Sequence, residues 1–340
     1  MMHVMFASKS LPFDMFDQHI EVMDVAREAR RAKRMESIYH VGQDRIWDGR
    51  AVLADLIKKH GTPKLADRER QALSRVFGVI MWGELAAWKI SAQLADVIVP
   101  LPGKLAASSQ VHDEARHFYV MHDYLEALGE KPPPLDYWSK RVLVMTLGTK
   151  SLAKKLLGMQ LTIETIALTI FQRVRELEVE PVLTELLPYY ERDEARHVGL
   201  GIQMLPSLIA EMSFVERIEL ARFHLDLYGS AVMSLKSLEP ALMSIGVDPR
   251  SLLAIGFRKQ DDIDKMLREE FPSWPEDPPE RRIFAGLCEL LFPAAGPNAT
   301  IPKIERMRAA IDVARRKRLG VLEIESEKRA SKKAEARLAV

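Results

Sequence analysis

Two stretches of this chain carry the same residues, and each follows a lone glutamate at the same distance. Glu84 lies 30 residues before Glu114 in Asp113-Glu114-Ala115-Arg116-His117, and Glu164 lies 30 residues before Glu194 in Asp193-Glu194-Ala195-Arg196-His197. In Glu-x-x-His, both side chains leave the same face of a helix. Four segments thus offer four carboxylates and two imidazoles. Buried together, such groups repel one another unless cations lie between them. The chain must therefore fold so that four segments meet at one level.

Apolar residues recur three and four apart over long stretches, and strand-like alternation is nearly absent. The pattern predicts an all-α chain, with helices near 14–36, 66–98, 104–128, 136–147, 151–178, 182–205, 213–245, 248–269, 279–291 and 302–336. Pro100, Pro102 and Gly103 fall midway between Glu84 and Glu114; Pro181 falls near the midpoint of Glu164 and Glu194. Each glutamate then sits roughly 20 Å from its turn, so folding each pair of helices back brings its two carboxylates level. The passage 129–150 between the pairs is long enough for a crossover. Three regions follow: an N-terminal helical extension (1–65), a four-helix bundle with a supporting helix (66–245), and a C-terminal helical appendage with a charged tail (246–340), entered through 272–280. Pro188 is expected to kink or break its helix.

The ligand chemistry is specific. Glu114 with His117 can reach one ion, Glu194 with His197 its neighbour, and Glu84 and Glu164 can bridge or terminate. Four carboxylates balance two divalent cations. Oxygen and nitrogen donors without thiolate suit iron or manganese, and the single cysteine, Cys288, is expected to be a buried, inert thiol. Two iron ions are the first choice, because a carboxylate-rich open pair is suited to dioxygen; manganese–iron and dimanganese pairs are the alternatives. A ligating imidazole usually gives its other N–H to a carboxylate. Asp113 is expected to serve His197 and Asp193 to serve His117, across the bundle, with Arg116 and Arg196 offsetting the buried charge.

Over roughly 66–245 the paired Asp-Glu-x-Arg-His motifs with their upstream glutamates resemble the ferritin-like di-iron carboxylate superfamily. The likeness is to its oxygen-activating branches: multicomponent monooxygenase hydroxylases, acyl-carrier-protein desaturases, aminobenzoate N-oxygenases and ribonucleotide reductase small subunits. The resemblance implies a ferritin-like four-helix bundle with a long crossover and added N- and C-terminal helices. It implies Glu84, Glu114, His117, Glu164, Glu194 and His197 as metal ligands. Tyr190 stands where the aminobenzoate N-oxygenases carry a further histidine ligand, and Met121 stands where ribonucleotide reductase subunits keep a radical tyrosine.

These features predict a di-iron oxygenase or oxidase that uses dioxygen on a small apolar or aromatic molecule, by hydroxylation, desaturation or N-oxygenation. The alternatives are an iron-storage or peroxide-scavenging protein and a radical-generating subunit. Electrons would come from an external donor, because the chain has neither a phosphate-binding loop nor a dinucleotide fingerprint. A formal net charge of +1 gives no ground for nucleic-acid binding. The most apolar stretch, 78–101, carries Glu84, Lys89 and Asp96, which argues against a membrane span. No signal-type apolar run opens the chain, so a cytoplasmic protein, and a homodimer, are expected.

Smaller features complete the expectations. Tyr190 is a candidate to donate a hydrogen bond or an electron to the cluster, and Glu191 a weaker candidate ligand. Phe77, Ile80, Met81, Trp88, Val111, Phe118, Met121, Leu168, Phe171 and Gly201 neighbour the ligands and are candidates to line a substrate cavity. Gly201 suits either a channel opening or a close helix crossing. His112, His122 and His224 are expected to be ordinary histidines. The basic segment 302–337 is expected to be a solvated helix or a docking tail.

Overall fold

The computed structural model describes residues 22–270, 279–293 and 301–315, and among these there is no strand. The helices are α1 (Val22–Asp44), α2 (Gly49–His60), α3 (Asp67–Val97), α4 (Leu101–Ala127), α5 (Tyr137–Gly148), α6 (Leu152–Leu156), α7 (Glu164–Glu176), α8 (Pro181–Glu211), α9 (Phe214–Ser244), α10 (Pro249–Glu270), α11 (Pro279–Leu291) and α12 (Lys303–Arg315). A π-helical segment, Leu157–Ile163, joins α6 to α7.

Local chemistry sets many of the starts. Asp48 caps α2 through the amides of Arg50 and Ala51. Asp136 caps α5 through those of Trp138 and Ser139. Glu180 caps α8 through those of Val182 and Leu183, with Pro181 in the first position, where no amide hydrogen is needed. Ser213 and Glu216 form a capping box on α9. Each such cap stabilises its helix by about 1 kcal/mol.

The core is layered. One apolar layer holds Phe77, Met121, Tyr124, Phe171, Leu183 and Tyr190. A second holds Ile90, Leu94, Ala107, Leu156, Met159, Leu200 and Met204. Between them, each of α3, α4, the π–α7 rod and α8 carries its motif residues. The order of residues through the layers gives the directions: α3 and α8 run from the first layer to the second, whereas α4 and the π–α7 rod run from the second to the first. Because α4 and the rod share a direction, the chain must travel back between them, and α5 lies on that return. Every fully buried leucine- or phenylalanine-sized side chain in these layers contributes about 1.5–3 kcal/mol, so the polar level is clamped from both sides.

Several sequence expectations need correction. Helix α1 reaches Asp44 rather than ending near 36, because Met35 and Ile38 pack into the second layer. The helix over 49–60 was not expected; Asp48-Gly49 starts it, and Leu53 and Leu56 bury its inner face. Helix α8 runs unbroken through Pro188 and Pro206. A Cβ on Gly201 would lie 2.8 Å from Leu161 and 2.9 Å from Gln160, so this glycine serves a close crossing with the π segment and opens no channel. The 272–280 passage and the tail beyond Arg315 lie largely or wholly outside the described residues. No described helix is long and apolar enough to cross a membrane.

Candidate metal centre

The six motif residues converge. Glu84 comes from α3, Glu114 and His117 from α4, Glu164 from the first residue of α7, and Glu194 and His197 from α8; each is at most 4% exposed. Their donor atoms form two overlapping groups. Glu84, Glu114, His117 and Glu194 make one, and Glu114, Glu164, Glu194 and His197 the other, with all donors of a group within 4.8 Å of one another. Glu114 and Glu194 belong to both groups, whereas Glu84 belongs to the first alone and Glu164 to the second alone.

Both imidazoles present Nδ1 to the carboxylates. His117 Nδ1 lies 3.2 Å from Glu194 and 3.5 Å from Glu84. His197 Nδ1 lies 3.0 Å from both Glu114 and Glu194, and 4.0 Å from Glu164. The other ring nitrogen turns outward: His117 Nε2 is 3.2 Å from Asp193, and His197 Nε2 is 3.3 Å from Asp113. Behind them stands a square of opposite charges. Arg116 pairs with Asp113 and, at 2.8 Å, with Asp193. Arg196 lies 2.9 Å from each aspartate. The square is internally neutral and fixes both rings.

The electrostatics are those of a site that holds protons where it lacks cations. Burial, reinforced by the Glu194 charge, pushes the Glu84 carboxyl well above its usual range. Burial does the same to Glu164, only partly opposed by the His197 imidazole. Burial also raises Glu114, but the two imidazoles outweigh it and hold this carboxyl below its usual range. Burial alone would lower His117 and His197; the surrounding carboxylates instead raise both well above the ordinary imidazole value. Asp193 is held low: its burial is overcome by His117, Arg196 and Trp47.

The donor set fits a metal pair on one further observation. Glu114 Oε2, His117 Nδ1 and Glu164 Oε2 are buried without a hydrogen-bond partner. Buried polar atoms are rarely left so, and these three belong to residues of the two donor groups. Carboxylate oxygens and imidazole nitrogens are donors suited to hard or borderline ions.

Three participants were not expected from the sequence. Gln110, one turn before Glu114, donates to Glu164 at 2.6 Å and to Glu114 at 3.1 Å, and in turn accepts from Gln160 of the π segment at 3.3 Å. Trp47, from the loop between α1 and α2, donates its indole N–H to Asp193 at 2.7 Å and lies under the Arg116 guanidinium. Gln110 was legible in part, since it shares the helix face of Glu114. The partner of Trp47 is 146 residues away, and no local signal marks it.

Other candidates are placed differently. The Tyr190 ring stacks on His117 with centroids 4.4 Å apart, but its hydroxyl donates to the backbone carbonyl of His117 at 2.8 Å rather than to a ligand carboxylate. Burial pushes its phenol well above the usual value. Glu191 pairs with Arg175 at 2.8 Å, away from the ligands. His112 meets Arg116, and His122 meets Asp123 at the surface. Cys288 is buried and its thiol is pushed upward by that burial.

A cavity of about 100 Å³ lies against the ligands, with Glu84, Glu164 and Glu194 in its wall. The rest is mostly apolar: Val79, Ile80, Val142, Met159 and Leu238, with Ser139 and Ser234 as exceptions. Of the residues expected to line such a space, only Ile80 does so. Phe77, Met81, Met121 and Phe171 pack into the first apolar layer, and Trp88 is 38% exposed. No protein-family model, curated protein or solved structure matches this chain.

Proposed function

We propose that this chain is a ferritin-like dimetal oxidoreductase, a dioxygen-using oxygenase or oxidase that acts on a small apolar organic molecule by hydroxylation, desaturation or N-oxygenation. The observation that carries the reading is the adjacency of two four-donor groups, sharing Glu114 and Glu194, to an apolar cavity walled by Glu84, Glu164 and Glu194. Two iron ions bound there would supply the redox chemistry toward dioxygen and substrate, with manganese in one or both positions as the alternative.

The chain's own residues supply geometry and exclusion. Asp193 and Asp113 hold the Nε2 protons of His117 and His197, which keeps Nδ1 free for coordination. Gln110 pins the Glu164 carboxylate by one oxygen. The two apolar layers keep water from the polar level, which strengthens every interaction inside it. Electrons come from a separate reductase. Trp47, hydrogen-bonded to Asp193 and through it to His117, marks the route.

The apolar wall of the cavity favours an organic substrate over iron storage or peroxide scavenging, which call for a polar passage. A radical-generating subunit is the second reading, favoured by the contact of Tyr190 with His117 and by Trp47. A cytoplasmic homodimer belongs to the proposal. The test is anaerobic reconstitution with ferrous ion followed by exposure to dioxygen, monitored by Mössbauer, optical and electron paramagnetic resonance spectra. Two ions per chain, rapid oxidation and a short-lived visible band support the proposal. Slow mineral growth selects storage, and a persistent tyrosyl or tryptophanyl signal selects the radical subunit.

A further inference from the structure

A second cavity, about 110 Å³, lies beside the first, lined by α7, α9, α10, α11 and Thr162 of the π segment. The two share four wall residues: Ile166, Ile170, Ala231 and Leu235. They are neighbouring chambers on either side of one thin apolar partition. Ile166, although apolar and two residues from Glu164, is 39% accessible where the chambers meet. The far chamber is walled by Val232, Leu252 and Phe257 among others. Its polar residues are mostly satisfied within the protein. Tyr228 donates to Gln260 at 3.2 Å, and Arg281 pairs with Asp261 and, at 3.1 Å, with Asp264. The Thr165 hydroxyl is buried without a hydrogen-bond partner, and the residue is 5% exposed.

Size decides what can use this space. Each chamber is smaller than the roughly 150 Å³ hollow that accepts one benzene ring. Neither alone holds a bulky molecule; the two meet at a shared apolar wall, and the near one reaches three ligand carboxylates. Resting on the oxygenase reading, we propose that the substrate is a slender alkyl compound. Its reacting end lies beside Glu84, Glu164 and Glu194, and its chain passes the Ile166–Leu235 partition into the far chamber, where Thr165 can hydrogen-bond one polar group. The partition and the far chamber therefore set chain-length preference.

Two glycines make the test clean. A Cβ on Gly83, in the near chamber, or on Gly256, in the far chamber, would meet nothing within 4 Å. A side chain can therefore start at either position without a clash at its first atom, and leucine there is used to narrow the chamber that the glycine lines. Affinities of straight-chain primary alcohols from hexanol to dodecanol are measured by calorimetry on the full chain, with and without ferrous ion, under argon. The proposal expects about a fourfold gain per methylene until the chambers are full, then a plateau or decline. Gly256→Leu should cost decanol about tenfold or more and leave hexanol within about twofold; Gly83→Leu should weaken the whole series. Unchanged thermal midpoints show that both variants fold. A flat chain-length profile, or equal losses for short and long alcohols in Gly256→Leu, overturns the proposal. Because binding is read without dioxygen, that failure is separate from failure of the oxygenase reading, which shows as absent iron loading or absent reaction with dioxygen.

Discussion

Replacing Asp193 with asparagine should weaken one ion position far more than the other. Asp193 accepts hydrogen bonds from Trp47 at 2.7 Å and Arg116 at 2.8 Å, forms an ion pair with Arg196 at 2.9 Å, and faces His117 Nε2 at 3.2 Å. Asparagine keeps one acceptor oxygen but turns an NH₂ toward groups that are themselves donors. The neutral square of two aspartates and two arginines then carries one net positive charge beside His117. Loss of a carboxylate behind a ligating imidazole typically costs 10–100-fold in metal affinity, or about 1.4–2.8 kcal/mol. The metal-free fold should also lose about 2–3 kcal/mol, less than full rupture of a buried ion pair because Asp113 still holds both guanidiniums. Anaerobic titration with ferrous ion, followed by calorimetry, separates the two positions. The expected result is one ion bound nearly as in the wild type and a second bound 10–100-fold more weakly. Asp113→Asn should give the same pattern, but with the weakened ion at His197. Two ions bound with unchanged affinity in Asp193→Asn would refute the role given to the square.

Further outcomes follow from the same geometry. Glu114→Ala removes a donor common to both groups and should leave less than one ion per chain by elemental analysis, whereas Glu84→Ala touches one group and should leave about one. Trp47→Phe keeps the packing but loses the N–H to Asp193; metal content should hold while reduction by a donor protein slows about tenfold or more in stopped flow, and an unchanged rate removes Trp47 from the route. Metal uptake should strengthen as pH rises, because His117, His197, Glu84 and Glu164 all hold protons more tightly than usual when no cation is present and must give them up on loading. Uptake that releases no protons in weakly buffered solution would contradict this. His224 behaves oppositely to the ligating histidines: burial lowers it to about 4, so its contribution to stability is whole above the unfolded value near 6.5 and fades as pH falls toward 4. The residue as a whole keeps some exposure although its Nε2 is buried, which discounts the effect to about 2 kcal/mol. His224→Phe should flatten the urea midpoint between pH 7 and 4.5 relative to the wild type.

What the sequence made legible was the part governed by residue type and spacing. A carboxylate and an imidazole three apart can only share a face, and equal 30-residue intervals place Glu84 and Glu164 level with their partners. The crossing of Asp113 to His197 and Asp193 to His117 followed from the same faces. The distribution of the carboxylates did not follow: nothing in the spacing says that Glu114 and Glu194 belong to both donor groups while Glu84 and Glu164 belong to one each, because that depends on the heights of four helices. The π segment before Glu164 carries no compositional mark, yet it sets where Gln160 meets Gln110. Trp47 depends on a loop that packs from outside the four ligand helices. For the cavity, helical periodicity gave the correct face and the wrong height: Phe77 and Met81 lie one layer away, and Ile80 borders the space.

The most direct test is a crystal grown anaerobically with ferrous ion, with anomalous difference maps collected on both sides of the iron edge. Two iron peaks are expected, one among Glu84, Glu114, His117 and Glu194 and one among Glu114, Glu164, Glu194 and His197, with both Nδ1 atoms directed at the metal. A map with iron elsewhere, or with these six side chains hydrogen-bonded to one another and no ion between them, would contradict the account.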